Sequence, residues 1–161
     1  ADCQAWVSPQ IGSSTMAMSF ALVQPKPKIC LIGIHVPPPA PYDSTGVMPY
    51  VNFLAKYIEN GKISMDWEVC KAGDSVMLMG DMNSVPHSLP YRTLLATGLD
   101  DLRENTGVWG GSWPVGGGWP RIPFFRLDHI LVTKDLPVVG VHSVAVPDSD
   151  HFGIRAWLQF D

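Results

Sequence analysis

Two polar side chains follow an apolar run in the middle of the chain, in a pattern that could support hydrolysis. Residues 80–83 (Gly-Asp-Met-Asn) come directly after residues 75–79, which have the composition of a buried strand. This order predicts that Asp81 and Asn83 stand at the C-terminal edge of a sheet, where open α/β sheets hold ligands. Side chains two residues apart on an extended backbone point the same way, so both would face one site. A carboxylate in such a place can orient a water molecule or bind a cation.

Three more polar clusters stand at predicted strand ends. They are His35, residues 126–129 (Arg-Leu-Asp-His) and residues 149–151 (Ser-Asp-His). The clusters provide three carboxylates, those of Asp81, Asp128 and Asp150, beside the imidazoles of His35 and His151. Two carboxylates about 4 Å apart repel by roughly 4 kcal/mol at an effective dielectric constant of about 20. A converged site therefore needs a cation, a shared proton or an imidazolium, and the four clusters together predict a hydrolytic site.

The residue types favour attack of water on phosphorus. Carboxylate oxygens are ligands for Mg²⁺ or Mn²⁺ rather than for Zn²⁺, and such an ion would polarise a phosphoryl oxygen. An imidazole oriented by an aspartate can act as an acid, a base or a cationic contact for phosphate. The amide of Asn83 can donate hydrogen bonds to the charge that develops around phosphorus.

The same residues also have ordinary structural interpretations. Asp81 and Asn83 could form an Asx-turn after a strand, and His35 could be a strand-end histidine with its hydrogen bonds satisfied. We expect His129 to be a strand residue that faces water, because its side chain points away from that of Asp128. No cluster surrounds His87, Glu104 or His142 in the sequence.

The polar clusters are positioned by predicted strands. The strands cover residues 16–24, 28–36, 75–80, 125–133, 138–146 and 152–160. The first two form a hairpin across residues 25–27 (Pro-Lys-Pro). Three prolines at 37–39 end the second strand, because proline has no donor for the ladder, and this leaves His35 at a strand end. The apolar run before Asp81 is typical of a strand that is buried on both faces.

Two helices and one long loop complete the predicted elements. Apolar residues at 47, 50, 51, 54 and 58 predict a helix over residues 47–60 that ends at Gly61. Ser88 is the predicted N-cap of a helix over residues 89–96, which Gly98 closes. Residues 105–123, rich in Gly and Trp, predict a loop of a length that is usually functional in compact domains.

Composition sets limits on the class of protein. A chain of 161 residues is one domain's worth and buries about 70% of its unfolded surface. Apolar residues make up 46% and charged residues 16%, which excludes a disordered chain. A net charge of −4 argues against binding nucleic acid by bulk electrostatics and leaves only a local groove around Arg92, Arg103, Arg121 and Arg126. No apolar run is long enough to span a membrane.

The cysteines and the chain start carry little information about compartment. Cys3, Cys30 and Cys70 lack zinc spacing. Cys30 lies in an apolar strand, so we expect it to be a simple core residue. The three cysteines allow one disulfide, but the sequence does not favour it. The chain begins at Ala1 without a signal-like apolar block, so the sequence makes no prediction of a cellular location.

The order and spacing of these clusters resemble the C-terminal half of the endonuclease/exonuclease/phosphatase superfamily, the DNase I-like proteins. Residues 80–83 resemble its GDxN motif, 126–130 its R-[IL]-D-H-[IV] motif and 149–151 its closing SDH. Trp113-Pro114 resembles the TWP of bacterial members, and the match runs over residues 28–160. The resemblance implies an α/β fold equal to half of a DNase I-like β-sandwich, with a mixed or antiparallel sheet flanked by helices. Residues 1–161 would be a single truncated domain.

The resemblance also implies a catalytic role for five residues. His151 would contact the phosphate, and Asp128 would orient its imidazole. Asp81 would position the attacking water with Asn83 beside it. His35 would protonate the leaving group or hold the phosphate. The implied reaction is metal-dependent hydrolysis of a phosphoester, above all a phosphodiester.

Metal and substrate contacts follow from the same resemblance. Asp150 and Asp81 would bind the metal, Mg²⁺ or Mn²⁺. Asn83, Arg126 and Trp113 would contact the substrate, which in this superfamily is nucleic acid or a phospholipid or inositol phosphate headgroup.

The chain departs from the superfamily pattern in its N-terminal part. Members carry an early Asn and a later Gln-Glu whose glutamate is the principal metal ligand, but residues 1–27 contain no glutamate. This leaves open an active hydrolase, an inactive remnant that serves as a binding or assembly module, and an enzyme completed by a second chain that supplies the N-terminal half. A bare apolar sheet face is unstable in water, so we expect a homodimer packed sheet against sheet.

Overall fold

The computed structural model describes residues 28–39, 46–66, 70–104, 110–115 and 122–160 with their side chains, and residues 2–7, 10–11, 14–15, 17–23 and 105 by backbone alone. The strands are β1 (Asp2–Val7), β2 (Gln10–Ile11), β3 (Ser14–Thr15), β4 (Ala17–Val23), β5 (Ile29–His35), β6 (Ile58–Glu59), β7 (Lys62–Ile63), β8 (Ser75–Asp81), β9 (Leu99–Asp101), β10 (Asp128–Thr133), β11 (Val138–Ala145) and β12 (Phe152–Leu158). The helices are α1 (Met48–Ala55), α2 (Leu89–Leu95) and α3 (Leu102–Asn105).

The main sheet is mixed, and its register brings three polar strand ends together. Its strand order is β1-β4-β5-β8-β10-β9, with β5 and β8 parallel and the other pairs antiparallel. The β5–β8 register sets His35 beside Asp81. The β8–β10 register sets Asp81 opposite Asp128. The predicted α/β fold with a mixed sheet and helices is confirmed, as is the hairpin of β4 and β5.

One face of the sheet packs against the helices. Cys30, Ile32 and Ile34 alternate along β5 and are buried in one cluster with residues of α1 and α2 such as Leu54 and Leu94. Burial of a large aliphatic side chain contributes about 1.5–3 kcal/mol, so this cluster fixes the helices and the sheet together. Ser88 caps α2 as predicted, since its hydroxyl accepts a hydrogen bond from the Tyr91 N–H.

The other face of the sheet is covered by the β11–β12 hairpin. Ile29, Met77, Ile130 and Val132 are buried there together with Val141 of β11. The rim of this second cluster is only partly buried. It consists of Leu31, Met79, Val138, Ile154, Ala156, Leu158 and Phe160.

The predicted helix over residues 47–60 is wrong in its second half. The helix ends at Ala55, and Ile58 instead pairs with Ile63 in the β6–β7 hairpin. Asn60 and Gly61 have φ values of 50° and 75°, the left-handed conformation that a two-residue hairpin turn requires. The Asn-Gly pair therefore outweighs the helical spacing of Ile58.

The interpretation of Cys30 as a simple core residue is also wrong. Cys30 and Cys70 form a disulfide, with both residues fully buried and their Cα atoms 5.5 Å apart. The side chain of Cys3 lies outside the described residues, as does most of the predicted loop over 105–123. The short elements β9 and α3 were not predicted. Among the described residues, no helix combines the length and apolarity needed to cross a bilayer.

Substitution of Gly80 tests the close approach of β5 and β8. Gly80 has a φ of +133°, and a Cβ at this position would overlap the backbone carbonyl of Ile34. We expect Gly80→Ala to lower the free energy of unfolding by about 3 kcal/mol or more, since backbone must move. Gly73→Ala is the matched control: its φ is +90°, but a Cβ there meets nothing within 4 Å, so only a strain of about 1–2 kcal/mol is expected. Equal losses in urea unfolding of the two variants would contradict this packing.

Candidate active site

A hydrogen-bonded pair, His151 and Asp128, forms the centre of the site. The Nδ1–H of His151, just before β12, donates to Oδ2 of Asp128 at the start of β10, at 2.8 Å. The backbone N–H of His151 donates to the hydroxyl of Ser149, which shapes the turn before the strand. With Nδ1 so engaged, Nε2 lies 4.0 Å from Oδ2 of Asp81. The imidazole is thus oriented by one carboxylate and faces another.

Asp81 and Asn83 form the Asx-turn that was the structural alternative, and this turn also holds them in the site. The N–H of Asn83 donates to Oδ1 of Asp81 at 2.8 Å. The backbone at Asn83 is left-handed, with a φ of 44°. The extended backbone expected from the sequence is therefore wrong at this residue. The side-chain amide donates to the Val36 carbonyl at 2.6 Å and to Oδ2 of Asp81 at 3.2 Å. Both amide hydrogens are therefore used within the protein, which gives Asn83 the geometry of a positioning residue.

His35 lies on the other side of Asp81. Its Nε2 is 3.7 Å from Oδ2 of Asp81, and 63% of its side chain is exposed. One carboxylate oxygen of Asp81 is therefore within 4.0 Å of two imidazole nitrogens. At these distances each imidazole interacts with the carboxylate through charge and makes no hydrogen bond to it.

The pKa values of His151 and Asp81 are both raised, that of His151 by neighbouring carboxylates and that of Asp81 mainly by burial. Burial lowers the pKa of His151, but the hydrogen bond to Asp128 and the negative charges of Asp128, Asp81 and Asp150 outweigh it. Burial raises the pKa of Asp81, and the charge of Asp128 adds to this. The N–H of Asn83 and the charges of His151 and His35 oppose it. His151 is therefore more readily protonated than an ordinary histidine.

Asp150 faces Trp113 rather than the other carboxylates. Its Oδ2 accepts a hydrogen bond from the indole N–H of Trp113 at 3.0 Å, which lowers the pKa of Asp150. Within the described part of the chain, no three His, Cys, Asp or Glu side chains are grouped closely enough to hold a metal ion. The residues expected to bind Mg²⁺ or Mn²⁺, Asp81 and Asp150, therefore do not complete a site by themselves.

These residues border an open pocket of about 820 Å³. Its polar lining comes from His35, Asp81, Asn83, Ser84, Ser88 and His151. Trp113 also lines it, with its ring centroid 6.4 Å from that of His151. Asp128 lies behind His151. A phosphoryl group in this pocket would have imidazole, carboxylate and apolar surface around it.

Arg126 is turned away from the pocket. Its guanidinium donates to Asp101 at 3.2 Å, to Glu104 at 3.1 Å and to the hydroxyl of Tyr91 at 3.4 Å, and 14% of the side chain is exposed. This placement gives no support to the expected role of Arg126 in substrate binding. It also shows that Glu104 has a charged partner, which its isolation in the sequence did not indicate.

The expectation that His129 faces water is wrong. The residue is 1% exposed. Its Nδ1 lies 2.8 Å from Oδ2 of Asp101, and its Nε2 lies 2.8 Å from the carbonyl of Ser84. Because Ser84 lines the pocket directly after Asn83, this buried pair supports the turn that carries Asp81 and Asn83. His129 is buried because it contacts the carboxylate of Asp101. No local motif around Asp101 indicates this contact in the sequence.

The sequence profile of the Endonuclease/Exonuclease/phosphatase family matches residues 54–151, which is 98 of the 161 residues. The chain belongs to this family. The matched segment contains Asp81, Asn83, Asp128 and His151, so the family match and the site coincide. No curated protein matches the chain.

Solved structures of this family share the fold. The chain is similar to a mannosyl-6-phosphatase of Bacteroides thetaiotaomicron, with a TM-score of 0.63, 15% identity, and coverage of 91% of this chain and 58% of that one. It is similar to D. rerio TDP2 in complex with a single-strand DNA product, with a TM-score of 0.67, 15% identity, and coverage of 99% and 68%. It is also similar to an endonuclease/exonuclease/phosphatase from Bacteroides vulgatus, with a TM-score of 0.64, 18% identity, and coverage of 99% of this chain and 65% of that one. The chain thus spans about three-fifths to two-thirds of these relatives, and the predicted half-sandwich of DNase I type is confirmed.

Replacement of Asp101 tests the buried network under the family's GDxN turn. Burial raises the pKa of Asp101, but the hydrogen bond and charge of His129, the charge of Arg126 and the N–H of Arg103 outweigh it, so the pKa is lowered. A lowered pKa stabilises the fold above the unfolded-state value, and this stability is lost as pH falls through the folded-state pKa. We expect Asp101→Asn to lower the free energy of unfolding by about 3–5 kcal/mol near pH 7.

The exposed pair of Lys62 and Asp135 provides the control for this measurement. Asp135 is 52% exposed and lies 2.7 Å from the Lys62 ammonium, so Asp135→Asn should cost less than about 1 kcal/mol. Urea unfolding at pH 7 and at acid pH measures both variants. A loss in Asp101→Asn no larger than in Asp135→Asn would contradict the role of the network.

Proposed function

We propose that this protein hydrolyses phosphodiesters by attack of water on phosphorus in the pocket beside Asp81 and His151. The observation that carries the proposal is the alignment of Asp128, His151 and Asp81, with one hydrogen bond of 2.8 Å and one approach of 4.0 Å. Membership of the Endonuclease/Exonuclease/phosphatase family supports a phosphoesterase fold. The mannosyl-6-phosphatase activity and the DNA product are features of the structural relatives and are not assigned to this chain.

His151 is the phosphate contact in this proposal. Asp128 holds Nδ1, so Nε2 is directed at the pocket. The raised pKa favours the imidazolium, which donates to a phosphoryl oxygen and balances the negative charge that grows in the transition state. Asp128 acts through His151 and is a positioning residue.

Asp81 and His35 carry the protons. Asp81 accepts a proton from water as the water oxygen bonds to phosphorus. His35, as an imidazolium, donates a proton to the ester oxygen as the bond from phosphorus to that oxygen breaks. His35 Nε2 and Asp81 Oδ2 are 3.7 Å apart, so the proton returns from the carboxyl to the imidazole through one water molecule. Asn83 keeps Asp81 in place through its two hydrogen bonds.

A divalent cation, Mg²⁺ or Mn²⁺, is the cofactor that we propose for full activity. When bound, it would polarise a phosphoryl oxygen. Asp81 and Asp150 are the carboxylates of this chain that would bind the cation. Because residues 1–27 contain no glutamate and the described residues hold no three-ligand group, a further ligand is needed. We propose that a second polypeptide, supplying an N-terminal half, provides it.

The activity assay uses bis-p-nitrophenyl phosphate and plasmid DNA, each with and without Mg²⁺. We expect slow hydrolysis that Mg²⁺ accelerates. Asp81→Asn and His151→Gln should each lower kcat by about 10²- to 10⁴-fold, the usual effect of losing a general acid or base. His142→Gln is the matched control, since His142 is exposed and packs edge-on against Trp157 on the β11–β12 hairpin. Turnover that survives in both site variants would contradict the proposed roles.

The second candidate function is a binding or assembly module without catalysis. The absence of a three-ligand group among the described residues favours it. The same assay separates the two candidates. Absence of turnover of both substrates at high protein concentration, with Mg²⁺ present, would overturn hydrolysis by the isolated chain. Turnover that stays absent after an N-terminal half from a family member is mixed in would overturn the hydrolase and support the inactive remnant.

As the alternative to a second polypeptide with an N-terminal half, we propose that the chain forms a homodimer through the partly buried rim of the cluster beneath the β11–β12 hairpin. Leu31, Met79, Ile154 and Phe160 are apolar but only partly buried there, and an apolar patch of this kind favours association. One chain has a mass of 17.6 kDa, and light scattering should give twice this value. Ile154→Glu should convert the dimer to a monomer. A wild-type monomer at all concentrations would overturn the dimer.

A further inference from the structure

The pocket beside His151 has a large apolar wall. The wall includes Pro38, Pro39, Val85, Pro90, Trp113 and Phe125. Val85 and Phe125 are 37% and 42% exposed although they are apolar. Apolar surface left exposed inside a concave site is usually covered by a ligand. The wall therefore indicates that the ligand has an apolar group besides its phosphate.

Two aromatic rings give this wall a defined shape. Trp113 and Phe125 are stacked, with ring centroids 5.9 Å apart and an interplanar angle of 27°. Their backbones are paired, since the N–H of each donates to the carbonyl of the other at 2.9 and 3.0 Å. The indole N–H of Trp113 is fixed by Asp150. A flat group that stacks here would lie close to the imidazole of His151, because the Trp113 ring is 6.4 Å from it.

The charge of the lining limits how many negative charges a ligand can bring. No lysine or arginine of the described residues lines the pocket, and Asp81 contributes a negative charge. Arg126, the cation of the family motif, is engaged with Asp101 and Glu104 outside the pocket. Besides the proposed divalent cation, the imidazoles of His35 and His151 are the groups of the described lining that can balance a ligand's charge. A single phosphodiester charge can be balanced in this way, whereas several phosphate groups on one ligand would repel Asp81 and each other.

We propose that the pocket selects phosphodiesters that carry one negative charge and an aromatic group on the ester oxygen that is not released, with that aromatic ring lying against Trp113 and Phe125 beside His151. This inference rests on the proposed function and narrows its substrate class. It disfavours polyphosphorylated headgroups, which need a cationic pocket. The ring contributes through burial and stacking against the wall, and a group of this size should change kcat/KM by about 10- to 100-fold.

The test compares phenyl p-nitrophenyl phosphate with methyl p-nitrophenyl phosphate. The two esters release the same leaving group and carry the same charge, and they differ in the second substituent. After division by the ratio of their rates in hydroxide, we expect kcat/KM to be at least about 10-fold higher for the phenyl ester. Equal corrected values would overturn the inference while leaving the proposed hydrolysis intact.

A matched pair of variants locates the preference in the wall. Phe125→Ala should lower the phenyl-to-methyl ratio to near one. Trp157→Ala should leave the ratio unchanged, because Trp157 is an aromatic residue of similar exposure, 44%, on the β11–β12 hairpin and does not line the pocket. If Phe125→Ala does not fold, Val85→Asp provides the second variant, since a charge in the wall should reduce the ratio in the same direction. A ratio unaffected by either wall variant would overturn the inference.

Binding of diester anions that lack a good leaving group tests the inference independently of turnover. Calorimetry with diphenyl phosphate and with dimethyl phosphate should give at least about 10-fold tighter binding of diphenyl phosphate to the wild type. If neither ester is hydrolysed, the proposed function fails, and this binding ratio alone decides the selectivity. Binding of inositol trisphosphate more tightly than diphenyl phosphate, or equal binding of the two diesters, would overturn it.

Discussion

The site depends on the register of three strands. Because β5 and β8 are parallel and β10 runs against β8, His35, Asp81 and Asp128 fall level at one edge of the sheet. A shift of one residue in either pairing would move these side chains to the opposite face. The close contact of Gly80 with Ile34 and the buried core on the helix side hold the register. His151 is then placed by a single hydrogen bond to Asp128.

Much of the site could be predicted from local signals. Apolar runs followed by polar residues located the strand ends, and the prolines after Val36 located the end of β5. The register could not be predicted, since it depends on pairing between distant segments. The spacing of apolar residues gave a wrong end for the helix predicted over 47–60. The turn at Asn60 and Gly61 places Ile58 in a β-hairpin, although its spacing from the preceding apolar residues is helical. The Cys30–Cys70 bond was missed because spacing does not determine connectivity.

The residues that sequence reasoning assigned least well are those of the buried network. Arg126 and His129 lie in a recognised motif, yet both are bonded to Asp101, a residue with no motif of its own. The network supports the Ser84 carbonyl, next to the turn that holds Asp81. The family motif thus contains two kinds of residue: Asp128, which orients the imidazole in the pocket, and its neighbours, which fix the framework. His129 differs from Asp128 because neighbouring side chains of β10 point to opposite faces, whereas Arg126 precedes the strand.

The orientation of His151 between Asp128 and Asp81 is the central claim, and nitrogen NMR of its imidazole tests it most directly. In metal-free protein, titration of the His151 ring should give a pKa above the ordinary value of a histidine, because the hydrogen bond to Asp128 and the nearby carboxylates outweigh burial. The pKa should fall in Asp128→Asn and the Nδ1–H signal should shift. A His151 pKa at the ordinary histidine value, with no response to Asp128→Asn, would contradict the account.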